Sequence, residues 1–163
     1  MVVKSSNAVF LHQLELSHLA FFLGLRVNEL VMERTAKAGF TRVRESHGYV
    51  IQHLIESERT ITELARRMDI TQQAASKIVA ELIDIGILKA IPANDRRTKR
   101  IRLSQQGWRC VRLGRRARTQ IDSRLVRAAG KESYENAKST LLTCLRALGG
   151  VERIRSRRIR APR

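Results

Sequence analysis

Apolar residues recur at three- and four-residue steps over most of this chain, which predicts a mainly α protein. Phe10, Leu14, Phe21, Leu25 and Leu30 read as the stripe of one long helix over 8–37, with Gly39 to end it. Val43, His47, Val50, Ile51 and Leu54 carry the period through a second helix at 42–56. Thr60-Ile61-Thr62-Glu63 is a capping box, in which hydroxyl and carboxylate each satisfy an amide of the first turn. It opens a short helix, 61–68, with Ile61, Leu64, Ala65 and Met68 inward. After the break at Asp69-Ile70, Thr71 is a second N-cap, and Ala75, Ile78, Val79, Leu82 and Ile85 mark the buried stripe of a helix that Gly86 ends.

The period then changes. Residues 87–91 and 100–103 read as strands, and Pro92-Ala93-Asn94-Asp95-Arg96 supplies the turn of a hairpin with a basic tip. Ser104-Gln105-Gln106-Gly107 opens a long helix over 105–128, Gly130 stops it, and 132–148 forms a last helix before Gly149-Gly150. Residues 151–163 place six arginines beside the single acid Glu152, with too few apolar residues for a helical face, and are expected to be a mobile basic tail.

Charge divides the chain more sharply than hydrophobicity does. Residues 1–95 carry 11 Lys+Arg and 11 Asp+Glu, which cancel, whereas residues 96–163 carry the remaining 21 and 4 and hold the whole net charge of +17. A field of that kind draws polyanions, because neutralising phosphates releases condensed counterions. At 163 residues and 43% hydrophobic the chain can fill one core. The longest clean apolar run, Leu19–Leu25, stops at Arg26, so neither a signal peptide nor a membrane partner is expected. Cys110 and Cys144 fit no zinc spacing and no disulfide framework, which points to a reducing cytoplasm. His12, His18, His47 and His53 fall in pairs six apart, on different helical faces, and compose no metal site. With no phosphate-binding glycine loop, nucleophile elbow or HExxH pattern, the expectation is a binding protein without cofactor or metal.

Two short helices a tight turn apart, followed by a basic two-stranded ribbon, form the layout of a winged helix-turn-helix, whose second helix fits the major groove of double-stranded DNA. Opposite its buried stripe that helix carries Gln72, Gln73, Ser76 and Lys77, side chains able to reach base edges or phosphates, and its N-cap Thr71 marks a phosphate-favouring helix terminus. A polar face alone is ordinary solvated surface; beside the ribbon it becomes a reading face.

Residues 60–107 resemble the MarR (multiple antibiotic resistance regulator) family. The specific part is the wing, where Asp95, Arg97, Leu103, Ser104 and Gly107 fall in the family's register, with Ser104 in place of its Thr. The resemblance implies a homodimer with intertwined terminal helices (8–40 and 105–149) around a DNA-binding module (42–104). It places Thr71 to Lys77 of each protomer in a major groove and Arg97 in a minor groove, with Asp95, Arg96 and Lys99 alongside. It also implies a small aromatic or phenolic effector in the seam between module and flanking helices, with Phe10, Leu14, His18, Phe21, His47, Tyr49 and Trp108 as candidate liners. The leading expectation is a ligand-responsive repressor on a palindromic operator. Two alternatives stand beside it. One is a nonspecific nucleoid or RNA-binding protein, suggested by the charge; the other is a redox-sensing regulator built on Cys110, whose thiol Arg109 and Arg112 would acidify.

Overall fold

The computed structural model describes residues 11, 13–92 and 99–156. In chain order the elements are α1 (Leu16–Lys37), α2 (Glu45–His53), α3 (Ile61–Met68), α4 (Gln72–Asp84), β1 (Leu88–Pro92), β2 (Lys99–Leu103), α5 (Gln105–Ala129), α6 (Lys131–Ala147) and α7 (Val151–Ser156). The fold is mainly α with one small hairpin, a winged helix-turn-helix flanked by long helices.

The module's core lies where α2, α3 and α4 meet the base of the hairpin. Val50, Leu64, Leu82 and Ile87 are fully enclosed there, and Met68, Val79 and Ile101 nearly so. Local chemistry sets the element boundaries. Thr60 Oγ1 accepts the Glu63 amide at 3.1 Å while Glu63 Oε2 accepts the Thr60 amide at 2.7 Å, closing the box that starts α3. Asp69, at φ 55°, takes the left-handed conformation that ends α3, and two residues later Thr71 caps α4.

The strands pair antiparallel in the register Leu88↔Leu103, Ala90↔Ile101 and Pro92↔Lys99, one residue beyond the expected strand ends. The segment before α3 joins them: Arg59 and Ile101 exchange both backbone hydrogen bonds, at 3.1 and 2.7 Å. A second, smaller core binds α5 to α1 through Val31, Ala117 and Ile121. There Arg34 donates to the Ala117 carbonyl at 3.1 Å and to Gln120 Oε1 at 2.8 Å. Helices α5 and α6 share Gly130, which ends one and begins the other.

Four expectations need correction. The single helix over 8–37 does not form across Glu15, whose extended backbone (ψ 152°) caps α1 and lets its carbonyl take the His18 and Leu19 amides. The predicted stripe also faces the wrong way: Phe21 and Leu25 are exposed, and Val31 and Thr35 are the buried positions. The first turns of α1 are apolar on all sides, so spacing alone does not select the packed face. The second helix is shorter than 42–56, because Arg44 is already its N-cap and Leu54 its C-cap. Lastly, the chain after Gly150 turns back into helix through Ser156, with Glu152 in the first turn where the helix dipole favours an acid, so that part of the tail is ordered. Residues 157–163 lie outside the described residues.

Gly107 explains its own place in the wing pattern. A Cβ there would stand 2.2 Å from the Ile87 carbonyl oxygen, a backbone atom that cannot swing aside. Gly107→Ala is therefore expected to destabilise the fold by about 1–3 kcal/mol, the range for overpacked sites, read from the shift in a urea unfolding midpoint.

Candidate nucleic-acid interface

The helix pair presents one polar surface. Ala75, Val79 and Leu82 root α4 in the core, and on the opposite side Thr71, Gln72, Gln73, Ser76 and Lys77 are all exposed. Thr71 Oγ1 accepts the Ala74 amide at 3.1 Å, and no acid occupies the first turn, so the positive end of the helix dipole faces outward uncompensated. The five predicted reading residues thus lie together. Lys99 is exposed at the outer end of β2. Asp95, Arg96 and Arg97 fall outside the described residues.

Behind α4 lies a lock that sequence inspection missed. His47 of α2 is buried, its Nδ1 accepts the Arg44 amide at 3.2 Å, and its Nε2 lies 3.3 Å from Glu81 Oε2 on α4. Arg44 also pairs with Glu81. The His47 hydrogen bond, then the Arg44 charge, holds the Glu81 carboxyl below its usual range. One turn on, Arg42 pairs with Asp84 at 2.5 Å. No local signal announces pairings between residues more than thirty apart.

The wing base is held in the same manner. Arg100 donates to the Glu58 carbonyl at 2.9 Å, and Arg102 meets the Glu58 carboxylate at 3.3 Å. These two arginines brace β2 against the segment before α3. Both serve the scaffold of the hairpin.

The seam between module and flanking helices contains a cavity of about 330 Å³ between α1, α2 and α5. Of the candidate liners among the described residues only Tyr49 reaches it, in company with Arg44, Gln52, Arg115 and Arg118. His47 faces Glu81 instead, His18 and Phe21 lie on the open face of α1, and Trp108 edges a separate groove with Lys89 and Arg102. Leu14 is half-buried outside the cavity, and Phe10 lies outside the described residues. Cys110 borders the cavity but is buried, and burial pushes its thiol up, opposite to the acidification expected from Arg109 and Arg112. Among the described residues, no three His, Cys, Asp or Glu side chains converge to hold a metal ion, and no helix is long and apolar enough to cross a membrane.

Residues 38–98, from just after α1 to just before β2, match the MarR family model. This module is a MarR-family winged helix. No curated relative matches the chain. Among solved structures, RV1404 from Mycobacterium tuberculosis superposes with a TM-score of 0.71 at 14% identity, over 90% of this chain and 97% of its own. YusO from Bacillus subtilis gives 0.64 at 20% identity, over 89% and 99%. A Staphylococcus aureus MepR variant bound to an oligodeoxyribonucleotide gives 0.64 at 17% identity, over 83% and 99%. At such identities the likeness carries the fold, and it extends beyond the MarR-family module to the flanking helices.

Two outcomes follow. The Thr60 amide, foremost, holds the Glu63 carboxyl low. That stabilisation is therefore fully present above the ordinary glutamate value near 4.3 and is lost as pH falls through the lower folded value. Glu63→Gln should flatten the acid limb of a stability-against-pH curve. With a thiol reagent, the partly exposed Cys144 should label first, and Cys110→Ser should leave the initial rate unchanged.

Proposed function

We propose that this chain is a sequence-specific double-stranded-DNA-binding transcription regulator, a cytoplasmic repressor acting as a homodimer on a palindromic operator and released by a small aromatic or phenolic effector. The observation that carries the reading is the capped, dipole-positive α4, rooted by Ala75, Val79 and Leu82 and exposing Gln72, Gln73, Ser76 and Lys77 together. Gln pairs bidentately with adenine, Ser bonds either donors or acceptors, and Lys reaches guanine or phosphate. The MepR relative with its oligodeoxyribonucleotide supports a DNA partner for this fold. On this reading Lys99, with Asp95, Arg96 and Arg97 at the wing tip, follows the neighbouring minor groove.

Homodimerisation is supported by apolar surface that one copy leaves open. Leu19, Phe22 and Leu23 on α1, with Leu142 and Leu145 on α6 and Leu148 just after it, are exposed. None of α6 is buried, so that helix needs a partner to justify its leucines. A two-fold pair would set two α4 helices against half-sites about one helical turn apart. The effector reading rests on the seam cavity, which offers Tyr49 as an aromatic wall and Arg44, Arg115 and Arg118 as cations for a phenolate or carboxylate. The redox alternative has little support, given the buried, weakly acidic Cys110.

Protection mapping on DNA upstream of the chain's own gene, followed by competition, tests the proposal. A regulator should prefer its protected site over random duplex by about 10³ or more at physiological salt; equal competition by random duplex or RNA favours the nonspecific nucleoid or RNA-binding alternative. Gln73→Ala should cost about 1–3 kcal/mol on the protected site and little on random duplex, because the substitution removes only a hydrogen-bonding group that reads a base edge.

A further inference from the structure

Helix α5 is buried on one side only. Cys110, Val111, Ala117 and Ile121 face the two cores. Around the far side, three- and four-residue steps join Gln105, Arg109, Arg112, Arg116, Thr119, Ser123 and Arg127 into one row, and every member is exposed. The row contains no acid and no large apolar side chain. Among the described residues, none of its arginines forms an ion pair with a carboxylate, although Arg26, Arg42, Arg44, Arg100 and Arg102 elsewhere all do. Thr119 and Ser123 donate back to carbonyls of their own helix, so they leave the row open.

We infer that this outward face of α5, through Arg109, Arg112, Arg116 and Arg127, is a second track for the phosphate backbone of duplex DNA, indifferent to sequence and separate from the reading helix. From Arg109 to Arg127 it runs about 27 Å at 1.5 Å per residue, the length of about eight phosphates on one strand. Arginine suits the task because its planar fork binds phosphate oxygens bidentately and stays charged. A membrane surface fits less well, since a helix binds lipid through an apolar face and that of α5 is already spent on α1 and the module core. A second copy fits less well too: most of the exposed leucines, with Phe21 and Phe22, lie on α1 and α6, and packing this row against a like-charged copy would bury unpaired cations.

The test uses the full chain, a random-sequence duplex of about 20 base pairs, and binding measured across salt concentrations. Arg109 is left in place because its guanidinium lies 5.8 Å from the centre of the Phe40 ring and so has a packing role. Arg112→Gln, Arg116→Gln and Arg127→Gln combined should make log K less steep against log salt by about 0.9 for each phosphate no longer neutralised. For three phosphates, raising salt from about 50 to about 200 mM then narrows the gap between wild type and variant by about 40-fold. A control of equal charge, Lys37→Gln, Lys131→Gln and Arg146→Gln combined, should leave the slope near that of wild type. An unchanged slope in the α5 variant, with helix content intact, overturns the inference; so does an equal change in the control, or loss of self-association in sedimentation, which would assign the face to an interface between copies. Displacement of the duplex by phosphatidylserine vesicles from wild type, but not from the α5 variant, also overturns it. Gln73→Ala, measured on the same duplex and on the protected site, reports on the reading helix independently of all these outcomes.

Discussion

The close approach of the first turn of α5 to the carbonyl of Ile87 is the constraint on which the rest of the architecture depends. That oxygen accepts the Ser104 amide at 3.0 Å, and Gly107 passes so near it that no side chain fits. Ser104 meanwhile caps α5 through the Gly107 amide and donates to the Gly86 carbonyl. One residue before Ile87, Gly86, at φ +73°, follows α4 and turns the chain into the hairpin. Four junctions therefore converge within a few ångströms: the end of α4, the start of β1, the end of β2 and the start of α5. The directions of α5 and α4 are set by one piece of packing.

Features decided within three or four residues were legible from the sequence. The Thr60–Glu63 box, the Thr71 and Ser104 caps and the inward stripe of α4 all formed as their local chemistry requires. What the sequence concealed depends on distant neighbours. The period in α1 could not say which face packs, because Phe21, Phe22, Leu23 and Leu25 surround the helix and only α5 selects Val31. The His47–Glu81 pairing joins residues 34 apart, and the clasp of Glu58 on Arg100 and Arg102 spans more than forty. The helix after Gly150 was missed for another reason. Its composition reads as a solvated charge run, and Val151 and Ile154 give too weak a stripe to announce a turn and a half of helix.

Charge is sorted by element as well as by position in sequence. Four arginines of the module, Arg42, Arg44, Arg100 and Arg102, are tied to carboxylates that hold its parts together, such as Arg44 with Glu81 and Arg102 with Glu58. Past Ser104 carboxylates become scarce, and the arginines of α5 stand in solvent without such partners among the described residues. The first set stiffens the module; the second produces the field around it, which acts at a distance of about a Debye length and weakens as salt rises.

The backbone bridge between Arg59 and Ile101 has a mechanical consequence. It stitches the wing base to the strand that leads into α3, while Glu81 and His47 stitch α4 to α2. Re-aiming the wing base would break paired main-chain hydrogen bonds, and re-aiming α4 would take the carboxylate partner from a buried imidazole. The module joins the flanking helices at two places, the loop from Ala38 to Arg44 and the first turn of α5. The seam cavity opens beside both, lined by Arg44 on one side and Cys110 on the other.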